Sequence, residues 1–369
     1  DISALEVVDS FVGRMLVTGG GSLWSNSSSV AYFGVAGGST TNASLTVDGG
    51  KLITPAILVG YNGSGGYNSL VISNGGQVFA TLNPSYVGLG TPGNTAVITG
   101  TNSLWNQVSS MIVGSAATGT SLRVEKGGAL NVSYASSGAA LAIGASGGQS
   151  NALTIASGGR LTMAGTFHGG DNTAGVAANT VLITGSNSLA TLSLTRIGYG
   201  ASLNSLTIDD GAVVTNCRVS VGQGNGALGG SSNSLVVTNG GRFFGDGANS
   251  TFVTYGSGCS NTVIITGTGS VMNCRAQPFY LAWSDSASSN SFSTLALLAG
   301  GVLTNVTTMY VASGPNSSNG FVLVNGGVLS ATSLAFGNLL TNTVIMDGAA
   351  QMTIASMFIT NVNQNFSFR

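Results

Sequence analysis

Only 6% of the 369 residues are charged, ten Lys and Arg against eleven Asp and Glu for a net charge of −1, while 58 are Gly and 43% are hydrophobic. That balance excludes a basic nucleic-acid surface and the high-charge composition of a disordered chain. No apolar run approaches the ~20 residues of a membrane helix, so neither nucleic acid nor a membrane span is expected; the longest run, Leu295 to Leu303, is broken by Gly300-Gly301.

The sequence opens on Asp1 with no signal-like segment, as a processed chain would. Asp1 to Arg14 is less than a full repeat: Leu5-Glu6-Val7-Val8 has the pattern of the last strand of a coil, and Asp9 to Arg14 that of its loop. From Met15 onward one phrase recurs, most clearly at Asn42 to Leu52, Asn68 to Val78, Asn151 to Leu161 and Asn233 to Phe243. Such a period marks units that bury their apolar faces only by stacking on one another. In the copy from Asn68, Leu70 and Ile72 alternate with Ser69, Val71 and Ser73, the period of a strand with one face on a core. Gly75-Gly76 then permits a sharp bend. A short second strand at Gln77 to Thr81 and a third at Tyr86-Val87-Gly88 follow, before a variable Gly/Ser/Asn loop.

Thirteen glycines, from Gly19 to Gly348, close the first strands about 27 residues apart. The fold class predicted is therefore all-β, a right-handed parallel β-helix (β-solenoid) of about 13 coils with three short strands each, a rod roughly 60 Å long at ~4.8 Å per coil. Its inward ladders are Leu45/Val47, Leu122/Val124, Leu153/Ile155, Val181/Ile183, Leu206/Ile208, Leu235/Val237, Val263/Ile265 and Val322/Val324. One domain over 1–369 is expected, with a partial N-terminal coil at 1–14, repeats at 15–352 and a partial C-terminal coil at 353–369.

A longer period of about 82 residues lies over the first: Asn-Thr opens the strand at Asn94, Asn179, Asn261 and Asn342, in steps of 85, 82 and 81 residues. Coils of this type put Leu16, Val97, Leu182, Ile264 and Ile345 on the outer face, where an apolar residue needs a cover, either the chain's own loops or a lateral neighbour. Val71, Val236 and Leu323, in another type of coil, share the character. Asn42, Asn68, Asn94, Asn151, Asn179, Asn204, Asn233, Asn261 and Asn342 precede first strands and are placed to stack as an amide ladder. Asn42, Asn131, Asn249, Asn305 and Asn316 stand in acceptor-like Asn-X-Ser/Thr triplets, most of which chance explains in so polar a chain. Cys217 and Cys274 fall two coils apart, too far for a direct disulfide; Cys259, in a loop, is placed to reach one of them, and three free thiols are the expectation.

Glycosidase chemistry needs two carboxylates ~5 to 9.5 Å apart. Asp48, Glu125, Asp209 and Asp347 sit beside turns of coils that are not neighbours, and Asp209-Asp210 is an ordinary turn signal. His168, the only histidine, is expected in a loop with Asp171 nearby. No metal, cofactor or catalytic residue is assigned, and the chain is not expected to be an enzyme; a polysaccharide-active β-helix enzyme, with acids gathered by loops around Asp246 or Asp285, is the third reading.

The phrases Thr99 to Trp105, Val71 to Val78 and Ile57 to Ser64 resemble the β-strand repeats of bacterial autotransporter-like passenger proteins, and the likeness runs almost end to end. It implies an exported, extracellular or cell-surface protein with a structural or adhesive role, although the family's C-terminal membrane barrel has no counterpart here. Because neither end carries a helical or strongly charged cap, the leading expectation is a self-assembling fibre subunit. It would stack head to tail on copies of itself through Leu5, Val7, Phe366 and Phe368. The alternative is an adhesin-type passenger fragment that binds surface glycans, for which Trp24, Trp105, Tyr61, Tyr86 and Trp283 are the aromatic candidates.

Overall fold

The computed structural model describes residues 6–7, 13–25, 31–33, 41–61, 65–135, 138–224, 228–255, 259–283, 292–314, 317, 319–337, 342–359 and 364–369. The chain is an all-β parallel β-solenoid of about 11 turns, with no helix among the described residues. That is slightly fewer than the thirteen coils expected. Two compact units are distinguished. One comprises Asp1–Phe167, Gly175–Leu182 and Asn187–Thr191, the other His168–Ala174, Ile183–Ser186 and Leu192–Arg369.

Within the first unit the opening strands Arg14–Thr18, Ser44–Asp48, Ser69–Ser73, Thr95–Thr99, Ser121–Glu125 and Ala152–Ala156 pair in parallel and in register. The second unit repeats the arrangement from Ser205–Asp209 to Gln364–Phe368. Alternation sets the register: a slip of one residue would turn every inward side chain out. All eight expected inward pairs are at most 2% exposed. Burying each such side chain contributes about 1.5–3 kcal/mol, so the aliphatic ladders are the main favourable term.

The Asn-Gly-Gly turn has two separate causes. Asn74 (φ 51°) and Gly75 (φ 80°) both lie in the left-handed region, and the Gly76 amide donates to the Ser73 carbonyl at 2.7 Å, which makes a type I′ turn. Gly76 is required by its neighbour instead, because a Cβ there would stand 2.1 Å from the Val47 carbonyl oxygen of the preceding coil.

The amide ladder forms in the interior. Asn68 Nδ2 donates to Asn94 Oδ1 and Asn151 Nδ2 to Asn179 Oδ1, both at 3.0 Å, and in the second unit Asn204 reaches Asn233 and Asn233 reaches Asn261, both at 3.1 Å. Each of these Oδ1 atoms also accepts a backbone N–H from the preceding coil, so the buried amides replace water as partner for the chain at its corner. Asn42 departs from the expectation. It is exposed, and Ala43 holds the ladder position, its amide donating to Asn68 Oδ1 at 3.0 Å.

Third strands supply the space the amides need. A Cβ on Gly114 would meet the Asn151 amide at 2.1 Å, and one on Gly198 the Asn233 amide at 2.2 Å. Where the ladder position shrinks to Ser293, the glycine is replaced by Thr254, and the two hydroxyls hydrogen-bond. One side of the pair grows as the other shrinks.

The second unit differs from the three-strand expectation. In Val213–Gln223, Val271–Trp283, Val302–Val311, Val328–Phe336 and Gln351–Ile359 the second and third strands are continuous. No Gly/Ser/Asn loop separates them in these coils. Positive-φ residues such as Asn216 (φ 56°) and Asn305 (φ 57°) turn the corner, with register shifts beside them.

Gly198→Ala places a Cβ both at a φ of +73° and inside the Asn233 amide. It is expected to lower stability by about 2–5 kcal/mol, whereas Gly20→Ala, with nothing within 4 Å of the added Cβ, should stay within about 0.5 kcal/mol. Urea denaturation midpoints of the two variants check this.

Candidate functional site: an aromatic face beside two arginines

In the second unit the third strands bury Ile197, Val221, Val253, Leu281 and Val311 and turn alternate residues outward. Parallel pairing sets Arg196 against Ser220, Ser220 against Phe252, Phe252 against Tyr280 and Tyr280 against Tyr310, with Tyr255 against Trp283 in the neighbouring row. The rings stack along the rows. Phe252 and Tyr280 lie 4.8 Å apart at 11°, Tyr280 and Tyr310 4.7 Å apart at 9°, and Tyr255 and Trp283 4.9 Å apart at 17°. Edge contacts from Phe252 to Tyr255 at 5.1 Å and from Tyr280 to Trp283 at 6.3 Å join the rows. Each ring pair contributes about 0.5–1.5 kcal/mol beyond its area, and all five rings remain half-buried.

At one end of this face stands a charged cluster. His168 Nδ1 lies 2.6 Å from Asp171 Oδ1, and Arg196 Nη1 lies 3.2 Å from His168 Nε2. With Arg196 obliged to donate, Nε2 accepts and Nδ1–H donates to the carboxylate, which assigns the neutral tautomer. His168 is on the strand Thr166–Gly169 and only 4% exposed, which corrects its expected place in a loop; its two polar partners are what permit the burial. Burial alone would raise the Asp171 carboxyl, but the hydrogen bond from His168, the Asn172 amide and Arg196 together hold it below its ordinary value. Arg196 lies over the Tyr199 ring at 4.4 Å and Arg218 over Phe252 at 5.7 Å. Burial, and next to it the charge of Arg218 against the favourable influence of Tyr199 and Asp171, leaves Arg196 below its ordinary value. A cavity of about 80 Å³ opens among Leu194, Arg196, Arg218, Ser220, Gln223, Phe252 and Tyr255.

Of the five aromatic candidates, only Trp283 belongs to this face. Trp24 and Trp105 are 7% and 0% exposed and pack in the core, while Tyr61 and Tyr86 are half-buried on third strands of the first unit. The residues missed were Arg196, Arg218, Phe252, Tyr255, Tyr280 and Tyr310. Their signal is a ring-x-x-ring spacing in successive third strands, Phe252/Tyr255 and Tyr280/Trp283, with Arg196/Tyr199 a relative.

The expected lateral residues are not brought together. Leu16 is 61% exposed and Val97, Leu182, Ile264 and Ile345 are half-buried. Ile264 and Ile345 are linked through Ala296 and Leu323, so that Val236, Ile264, Ala296, Leu323 and Ile345 form an unbroken outer row. Among the assembly residues, Leu5 lies outside the described residues and Val7 pairs by its backbone with Phe33. Phe366 packs on Phe336 at 5.2 Å, and Phe368 is 74% exposed.

The acids bind neighbouring turns. Asp48 accepts from Ser73 Oγ at 2.7 Å and Asn74 Nδ2 at 2.6 Å, and Asp209 from Asn239 Nδ2 at 2.8 Å; Glu125 pairs with Arg123, and Asp347 accepts the Gly348 amide at 2.7 Å. Among the described residues no three His, Cys, Asp or Glu side chains gather as a metal site would require. Cys217, Cys259 and Cys274 are free thiols; burial pushes Cys217 and Cys274 up to about 12, which leaves them unreactive. A second, shallow groove of about 520 Å³ is lined by polar residues that include Asn273, Thr304, Asn305 and Ser330.

No protein-family model and no curated protein matches the sequence. Among solved structures, the chain is similar to a TibC-catalysed hyper-glycosylated fragment of TibA at 12% identity and a TM-score of 0.39, over 96% of this chain and 99% of that one. The likeness is too distant to carry fold or function across.

A carboxyl held below its ordinary value contributes stability above the usual carboxylate range, and that contribution is lost as pH falls through the folded value. Asp171→Asn is therefore expected to cost about 1–3 kcal/mol at neutral pH, and the difference from the parent should shrink below about pH 4. Thermal midpoints measured from pH 7 down to 3 check the sign.

Proposed function

We propose that the chain is a binding solenoid of an exported, surface-displayed protein, and that it holds carbohydrate on the third-strand face of its second unit. The observation that carries this reading is the five-ring cluster from Phe252 to Tyr310, stacked over three successive coils and half-exposed on the outside of the fold. Core packing does not demand those rings. Tyr and Trp edges present an apolar body with a polar tip, which suits the C–H face and hydroxyls of a sugar ring, and the regular coil spacing suits a polymer.

Trp283 is the only half-exposed tryptophan, since Trp24 and Trp105 are buried, so its emission reports on this face. Titration with dextran, xylan and polygalacturonate is expected to change that emission with at least one polymer. Tyr280→Ala should weaken binding about tenfold or more, in line with removal of an interfacial aromatic anchor. A glycan that binds with equal affinity to a folded Tyr255→Ala/Tyr280→Ala variant would place recognition elsewhere.

A second reading, head-to-tail assembly into a fibre, draws on the last coil. Its inward positions Met357 and Ile359 are 45% and 50% exposed, whereas Leu334 and Phe336, one coil earlier, are 1% and 3% exposed. A further coil laid on Gln351–Ile359 and Gln364–Phe368 would cover them, and a second copy entering by its Glu6–Val7 edge is the occupant we assign. Negative-stain electron microscopy across a concentration series should then show particles that lengthen with concentration and stop doing so when residues 366–369 are removed. Single particles at every concentration would contradict it.

A further inference from the structure

The aromatic row lacks one rung. From Tyr310 through Tyr280 to Phe252 each coil contributes a ring, and then Ser220 stands where the next ring would lie, with Arg196 one coil beyond. The 80 Å³ cavity occupies this gap. Arg196 and Arg218 both border it, and each carries a buried Nε–H that has no acceptor among the described residues. Two guanidiniums facing one space repel each other, and a buried donor without an acceptor costs about 1–3 kcal/mol. An anion in the gap relieves both.

The two carboxylates that act on these arginines are engaged elsewhere. Asp171 Oδ1 is held by His168 and by the Asn172 amide. Asp246 accepts from the Ala248 and Asn249 amides and from Asn249 Nδ2, all at 2.8 Å. His168 in turn holds Arg196 through Nε2 at 3.2 Å, which fixes one guanidinium beside the gap while Arg218 closes over Phe252.

We infer that the Ser220 gap is an anion site that takes the carboxylate of an acidic sugar, one unit of the polymer bound along the aromatic face; the inference rests on the carbohydrate-binding reading above. The chemistry favours a carboxylate for two reasons. A space of about 80 Å³ is well above the ~10–15 Å³ that holds one water, enough for a carboxylate and the carbon that bears it. The missing rung is also flat, one ring thick, and the planar fork of arginine matches a planar carboxylate in two parallel hydrogen bonds. The pyranose itself would remain outside, against Tyr255 and the edge of Phe252.

Isothermal titration calorimetry of the full chain with polygalacturonate, neutral dextran and dextran sulfate tests this. Polygalacturonate is expected to bind at least tenfold more tightly than dextran and more tightly than dextran sulfate, with the advantage over dextran reduced at high salt. Arg218→Gln should remove most of that advantage, and Arg218→Lys, which keeps the charge but not the fork, should restore only part. Thermal midpoints of both variants confirm folding before comparison. Equal binding of polygalacturonate and dextran would overturn the anion site while leaving the carbohydrate face intact. Tighter binding of dextran sulfate would overturn the carboxylate assignment, and an undiminished preference in folded Arg218→Gln would remove the site from this gap. Failure of all three polymers would overturn the site and the carbohydrate reading together.

Discussion

Within each unit every residue sits about 4.8 Å from its counterpart in the next coil, and that spacing governs what each position can be. A side chain must be compatible with the residues stacked on either side of it. Aliphatic residues satisfy the condition in the core, and asparagine satisfies it at the corner, where one amide accepts from the coil before it and donates to the coil after it. The glycines of the third strands follow from the asparagines, since at Gly114 and Gly198 an added Cβ would fall within about 2 Å of an amide. The exchange of glycine for Thr254 opposite Ser293 shows the same constraint met by a different pair. Positive φ at these sites is thus tied to packing between coils, with turn geometry a separate matter.

The same spacing has a different consequence on the outside. There it stacks ring on ring along the third strands, and the rings stay half-buried. Where the stack is interrupted by Ser220, a coil-high gap appears and polar groups gather around it: His168 fixed by Asp171, Arg196 fixed by His168, and Arg218 over Phe252. A regular solenoid therefore acquires a gap lined by two arginines by leaving out one ring of a series. No loop has to be inserted.

The coil phrase, its inward ladders and the buried amides were legible because each depends on a local period that alternation and Gly-Gly turns make visible. Asn42 was misassigned because the ladder needs the residue directly before the strand, and at that coil Ala43 holds the place. The merging of second and third strands went unseen because single residues such as Asn305 turn the corner without a loop signature. His168 was placed in a loop because its neighbours are glycines, yet its burial depends on Arg196, 28 residues later. Single residues carry no sign of how rings align from coil to coil, so Trp24 and Trp105 stood among the candidates although both are core. The aromatic face is a vertical alignment, visible only once register places Phe252, Tyr280 and Tyr310 in one row.

The most direct test of the account is a crystal structure of the full chain grown with a galacturonate oligosaccharide. Sugar density along Phe252, Tyr255 and Tyr280, with one carboxylate between Arg196 and Arg218, is the result predicted. Density in the polar groove at Asn273 and Asn305, with the Ser220 gap filled only by solvent, would contradict it.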